Sequence, residues 1–182
     1  MSVLGVGDRV ADRELTAIDG SIVRVPDPEG VVHLQLRRFA GCPICHVHMH
    51  EIGRRHQEIR DAGIHEVVVF HSEAELLREH QGDLPFDVIP DPDKLLYREF
   101  GVESSIRSVL SLKAGLASLR GVRGGASIKA GLTAKEDHFS QPADFLIGSD
   151  GVVLAAKYGK HASDQWSVDE LLALASSHKG AA

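Results

Sequence analysis

One junction limits the folds open to this chain more than any other feature. Val31-Val-His-Leu-Gln-Leu-Arg37 carries branched aliphatics in alternation and predicts a strand, and it runs almost directly into Gly41-Cys-Pro-Ile-Cys-His46. A helix is predicted from Pro43 to about Ala62, ended by Gly63, because glycine readily takes the left-handed conformation that stops helices. Two thiols therefore fall at a helix start, where the first amides lack intrahelical partners and the helix dipole presents partial positive charge. In such settings a thiol pKa of about 8.5 falls to ~3.5–7.5, which raises the share of nucleophilic thiolate at neutral pH. Pro43 suits the first helical position, since its fixed φ matches the helix and its missing N–H costs nothing there. Cys42 is placed at or beside the N-cap and Cys45 one turn in, so that the second thiol can attack a mixed disulfide formed at the first.

The rest of the chain alternates strand and helix. Short extended pieces up to about Pro26 turn at Asp19-Gly20. Ile64 to His71, centred on Val67-Val-Val-Phe70, predicts a strand buried on both faces. Ser72-Glu-Ala-Glu75 and Ser167-Val-Asp-Glu170 match capping boxes, the second opening a helix through about Ala175. Phe86 to Ile89 is a short strand, Pro90-Asp-Pro-Asp93 a turn, and Asp93 to Phe100 a short helix closed by Gly101. Phe145 to Ile147 and Val152 to Tyr158 form a hairpin about Asp150-Gly151. Between Ser104 and Ala134 there are five basic residues, Arg107, Lys113, Arg120, Arg123 and Lys129, and no acidic one, with apolar residues at helical spacing from Ile106 to Leu119. That stretch predicts an amphipathic helix followed by a Gly-rich loop, packed on the core, covering the cysteine site or meeting a second copy of the chain. The order of elements implies α/β architecture: a central mixed β-sheet flanked by helices, in one domain spanning residues 1–182 with a basic helical insert at about 103–140.

A chain of 182 residues with 43% hydrophobic content can bury a full core without disulfides or a structural metal, so both cysteines are free for chemistry. The 20 basic and 26 acidic residues give a net charge of −6, which argues against gripping nucleic acid or an anionic membrane surface. No stretch supplies the ~20 apolar residues of a membrane span, and the first residues do not read as a secretory signal. The expected location is the cytoplasm, where a close cysteine pair serves catalysis or metal binding rather than cross-linking.

A strand followed by Cys-Pro-x-Cys at the start of a long helix resembles the thioredoxin-like fold. Gln141-Pro-Ala-Asp-Phe-Leu-Ile-Gly-Ser-Asp-Gly151 resembles the segment in which such proteins carry a proline just before a strand. The layout, including Asp91-Pro-Asp-Lys-Leu-Leu-Tyr97 and Gln141 through His161 to Leu172, is similar to peroxiredoxin-like proteins of the alkyl hydroperoxide reductase and thiol-specific antioxidant superfamily. The resemblance implies a thiol-dependent oxidoreductase that cycles a dithiol and a disulfide to reduce a peroxide or a disulfide, using no cofactor or metal. An external thioredoxin- or glutathione-like thiol would reset it. It implies Cys42 as the exposed nucleophile, Cys45 as the resolving thiol, and Pro142 as a cis-proline facing the pair and shaping substrate docking; an ordinary trans proline is the competing reading of Pro142. One departure bears on these roles. The Pro-x-x-x-Thr/Ser-x-x-Cys motif of typical peroxiredoxins is absent, its Pro and Thr/Ser positions holding Arg38 and Cys42 if Cys45 attacks, or Gln35 and Phe39 if Cys42 does. Analogy with that motif favours Cys45 as attacker, and the assignment stays open at this level. No arginine lies around Phe145, although Arg37 and Arg38 adjoin the pair.

His46, His48, His50 and His56 decorate the helix after the cysteines. Solvated side chains are the ordinary reading of such a group, with His46 and Arg38 the candidates for tuning the thiolate electrostatically. Cys42-Pro-Ile-Cys45-His46 also matches the haem-attachment pattern, and Cys42, Cys45 and a nearby histidine could be read as zinc ligands. A partner-binding domain without catalysis is the remaining alternative, and it would not need both cysteines.

Overall fold

The computed structural model describes residues 3–102 and 140–179. Apart from Ser140, the expected basic insert and its Gly-rich loop lie outside the described residues. The chain begins with an antiparallel hairpin, β1 (Arg13–Thr16) and β2 (Ile22–Val25), folded about Asp19-Gly20 as the sequence predicts. Strand β3 (Val31–Leu36) leads to α1 (Pro43–Arg54), α2 (His56–Asp61), β4 (Ile64–Phe70), α3 (Ala74–Gln81), β5 (Asp87–Pro90) and α4 (Leu95–Glu99). The hairpin β6 (Ala143–Ile147) and β7 (Val153–Tyr158) and the helix α5 (Val168–Lys179) complete the described chain. The five longer-range strands lie in the order β5-β4-β3-β6-β7, with β3, β4 and β5 mutually parallel and β6 and β7 antiparallel to their neighbours. This is the mixed sheet expected of a thioredoxin-like α/β fold. Among the described residues, no helix is long and apolar enough to cross a membrane.

Three local expectations are corrected. The single helix from Pro43 to Ala62 breaks at Arg55, whose amide straddles the carbonyls of Glu51 and Ile52, so that α1 and α2 are separate helices. The ending is as predicted: Gly63, at φ +74°, stops α2, and its carbonyl accepts the amide of Val31. Ser72 does not cap α3. Its hydroxyl is taken by the amide of Ala40, and the helix starts at Glu73 without a side-chain cap. The helix expected from Asp93 to Phe100 is shorter, α4 running from Leu95 to Glu99, and its start is held by Asp91, whose carboxylate accepts from the amides of Leu95 and Leu96 at 2.8 and 2.9 Å. The capping box at Ser167 and Glu170 is formed reciprocally, and α5 continues past Ala175 to Lys179.

Core residues divide by sheet face with the period of two that strands impose. Val32, Leu34 and Leu36 of β3 join Val67, Val69 and Phe145 on the face that packs against α4. Val68, Phe70 and Leu146 turn to the other face, against α1, α2, α3 and α5. The intervening residues of β3 are polar, yet the strand is central and both of its faces are covered, so His33 and Gln35, and Arg37 just beyond the strand, are fully buried.

Candidate active site

Cys42 and Cys45 stand where the sequence puts them. Cys42 is the N-cap of α1, Pro43 occupies the first turn, and the amide of His46 closes the first helical bond on the carbonyl of Cys42. A turn precedes the cap, with the Cys42 amide donating to the carbonyl of Phe39 at 3.1 Å. Neighbouring elements pin this approach: Ala40 gives its amide to Ser72 Oγ at 2.9 Å and receives Gln81 Nε2 on its carbonyl at 2.8 Å, while the amide of His71 reaches the carbonyl of Arg38. Cys42 was expected to be exposed and is not. The turn tucks it into the same apolar cluster as Phe39, Ala40 and Met49, and both thiols are fully buried and free.

The two thiols are electrostatically unequal. Cys42 is lowered to about 6 because it accepts a hydrogen bond from the Cys45 thiol; the Arg38 guanidinium and the amides of Cys45 and Ile44 add to this, against the opposing effect of burial. Arg38 Nη1 lies 3.7 Å from Cys42 Sγ. Cys45 is driven well above the ordinary thiol range, first by its hydrogen bond to Cys42, then by burial and by the charge on Cys42. The tuning role expected of Arg38 thus has a contact behind it. His46 does not share that position: it is exposed and its ring meets His50 edge-on at 5.0 Å.

Pro142 is also corrected. Among the described residues the cis peptide bond is Val25–Pro26, and Pro142 follows a trans bond. It continues the extended line of β6, its carbonyl accepting the amide of Gly159 at 2.8 Å. Gly159 is required there, since a Cβ would stand 2.8 Å from the proline ring and 2.6 Å from the carbonyl of Asp164. The next residue, Ala143, accepts Arg37 Nη1 on its carbonyl at 3.2 Å.

Beneath α1 lies a charged cluster that the sequence reading missed. His33 faces a carboxylate from each ring nitrogen, Nδ1 on Glu66 Oε1 at 2.8 Å and Nε2 on Asp144 Oδ1 at 3.2 Å. Arg37 Nη2 donates to Asp144 Oδ1 at 2.5 Å and to Gln35 Oε1 at 2.6 Å, and Gln35 in turn donates to Glu66. Burial pulls the His33 pKa down, but Glu66 and Asp144 outweigh it and raise it to about 9. Two cations then face two anions, the condition under which ions are tolerated in a protein interior. His48 of α1 stays neutral, lowered to about 3 first by burial and then by Arg37, and its Nε2 lies 3.4 Å from Arg37 Nη2. The available signal was the run of polar residues at positions 33, 35 and 37, spaced by two along the strand predicted from Val31 to Arg37. Among the described residues, no group of three His, Cys, Asp or Glu side chains is arranged to hold a metal ion.

A family model described as AhpC/TSA antioxidant enzyme matches residues 51–161, beginning just C-terminal to the cysteine pair. Solved structures are similar over almost the whole chain at low identity. Peroxidoxin BcpB from Mycobacterium tuberculosis has a TM-score of 0.69 at 18% identity, covering 96% of this chain and 97% of its own. AhpC from M. tuberculosis has a TM-score of 0.70 at 13% identity, with coverages of 99% and 96%. PrxQ from Xylella fastidiosa has 0.68 at 12%, with coverages of 98% and 99%. At these identities the likeness is one of fold. No curated protein matches the chain.

Proposed function

The chain belongs to the AhpC/TSA antioxidant enzyme family and is a thiol-dependent oxidoreductase of the peroxiredoxin-like type, and from that premise we propose that Cys42 is its attacking thiol and Cys45 its resolving one. The observation that carries this assignment is the inequality of the pair. At neutral pH a thiol with a pKa of about 6 is largely ionised, whereas its neighbour is held protonated. In the first step the Cys42 thiolate attacks one peroxide oxygen; an S–O bond forms, the O–O bond breaks, and the departing oxygen leaves as water or an alcohol after taking a proton. Cys42 becomes a sulfenic acid, oxidised by two electrons. The Cys45 thiolate then attacks the sulfenic sulfur, an S–S bond forms and hydroxide leaves as water. An external thioredoxin- or glutathione-like thiol returns two electrons and restores both thiols.

The first step prepares the second. Cys45 is kept protonated chiefly by its hydrogen bond to Cys42, with the negative charge on that sulfur adding to it. Conversion of Cys42 to a neutral sulfenic acid removes both effects, so Cys45 becomes easier to ionise just when its nucleophilicity is needed. Full burial of the pair favours a small peroxide over a folded protein disulfide as oxidant. The cycle needs a reducing compartment, which fits a cytoplasmic location.

The test is stoichiometric oxidation of the reduced protein by hydrogen peroxide and, separately, by a model disulfide, followed by thiol titration and mass. The expected wild-type product is the disulfide, lighter by two hydrogen atoms; Cys45→Ser accumulates a sulfenic acid or mixed disulfide at position 42, and Cys42→Ser reacts with neither oxidant. Thiols inert to both oxidants in the wild type would contradict the proposal.

A further inference from the structure

Cys45 is supported by a chain of contacts that the cycle above leaves unexplained. Its sulfur accepts the backbone N–H of Arg38 and feels the charge of the Arg37 guanidinium. The other end of the same peptide unit, the Arg37 carbonyl, accepts the hydroxyl of Tyr97 from α4, a hydroxyl that also lies 2.9 Å from the carbonyl of Val69. A peptide whose carbonyl is hydrogen-bonded becomes a stronger donor at its N–H, because successive bonds in a chain polarise one another. Tyr97 is 1% exposed, and burial together with the nearby charge of Asp91 holds its phenol well above the usual range, so it remains a donor.

The Arg37 side chain is fixed as firmly as its backbone. It is fully buried, gripped by Asp144, Gln35 and the carbonyl of Ala143, and both its Nε and the second oxygen of Asp144 are buried without hydrogen-bond partners. Leaving such atoms unsatisfied is costly, and a core held only for stability has cheaper apolar solutions. Here the charge of that buried cation also favours the thiolate that must form at Cys45.

We propose that Tyr97 is a positioning residue for disulfide closure: by holding the Arg37–Arg38 peptide against Cys45, it stabilises the Cys45 thiolate that attacks oxidised Cys42. This rests on the assignment of Cys42 as attacker and Cys45 as resolving thiol. In the step concerned, the Cys45 proton and the hydroxide released from the sulfenic sulfur leave together as water, and no oxidant is needed beyond the peroxide already consumed. Cys42, Arg37, the Arg38 amide and Tyr97 act on Cys45, with His48 and Asp144 behind Arg37 and Asp91 behind Tyr97.

The experiment mixes the full-length reduced protein with hydrogen peroxide across a pH series, quenches with acid, and measures sulfenic acid and disulfide by mass after trapping with a 1,3-dione. In the wild type, closure accelerates with pH as Cys45 ionises. Tyr97→Phe is expected to slow closure about tenfold at neutral pH, to move the midpoint of its pH profile upward, and to recover wild-type closure at alkaline pH. Sulfinic acid then accumulates at Cys42 at lower peroxide. A fluorinated tyrosine at position 97, which keeps the packing and donates more strongly, moves the midpoint the other way, and it carries the test should Tyr97→Phe not fold. A midpoint unmoved by either replacement, or a loss equal at every pH, overturns the positioning role. A wild type that forms neither sulfenic acid nor disulfide overturns the underlying assignment of the thiols as well, so the two failures are distinguishable.

Discussion

Arg38 Nη1 stands 3.7 Å from the sulfur of Cys42, reaching across the turn that delivers the chain into α1. The arginine is itself buried, and its guanidinium lies over the Phe39 ring at 5.4 Å, so its charge is little diluted by water. A cation this close favours the thiolate. Replacing it by Met is expected to raise the Cys42 pKa by roughly one to three pH units and to slow alkylation at pH 7 by roughly tenfold. Arg38→Lys, which keeps the charge but loses the planar fork, lies between the two. The pH dependence of the alkylation rate measures this, and an unchanged midpoint in Arg38→Met would rule out the electrostatic role.

The buried cluster gives stability a maximum near neutral pH. His33 is raised to about 9 in the folded protein from an ordinary value of 6.5, so its contribution is fully present below about 6.5 and is lost as pH rises towards 9. Its size is of order 3 kcal/mol. His48 acts in the opposite sense: its folded pKa is lowered to about 3, so stability is present above about 6.5 and declines as pH falls towards 3. Urea unfolding across pH should therefore fall on both sides of a maximum. His33→Gln is expected to flatten the alkaline limb and His48→Asn the acid limb.

How far this cluster was legible in the sequence depends on what each residue needed as a partner. The cysteine pair, Pro43 at the helix start, the hairpin ends and the mixed sheet follow from local rules and from position relative to predicted elements. The capping expected of Ser72 failed because a long-range partner, the Ala40 amide, competed for its hydroxyl. His33 and Arg37 look like solvent-facing members of an alternating strand until Glu66 and Asp144, 33 and 107 residues away, are brought beside them by the β3–β4 and β3–β6 registers. The cis bond expected at Pro142 rested on resemblance alone; that residue follows a trans bond, and its carbonyl accepts the amide of Gly159.

Gln81 ties α3 to the approach to Cys42 through the carbonyl of Ala40, at 2.8 Å and out of solvent. Gln81→Leu leaves that carbonyl buried without its donor, at an expected cost of about 1–3 kcal/mol. Denaturant unfolding checks this, and stability equal to wild type would mean that the carbonyl finds another partner.

The most direct measurement is the ultraviolet absorbance of the thiolate during a pH titration of the reduced wild type, Cys42→Ser and Cys45→Ser proteins. An acid-range wave with a midpoint near 6, present in the wild type and absent from Cys42→Ser, is the predicted result. A wild-type midpoint above about 8, where an ordinary thiol titrates, or an acid-range wave that survives in Cys42→Ser, would contradict the assignment of Cys42 as the attacking thiol.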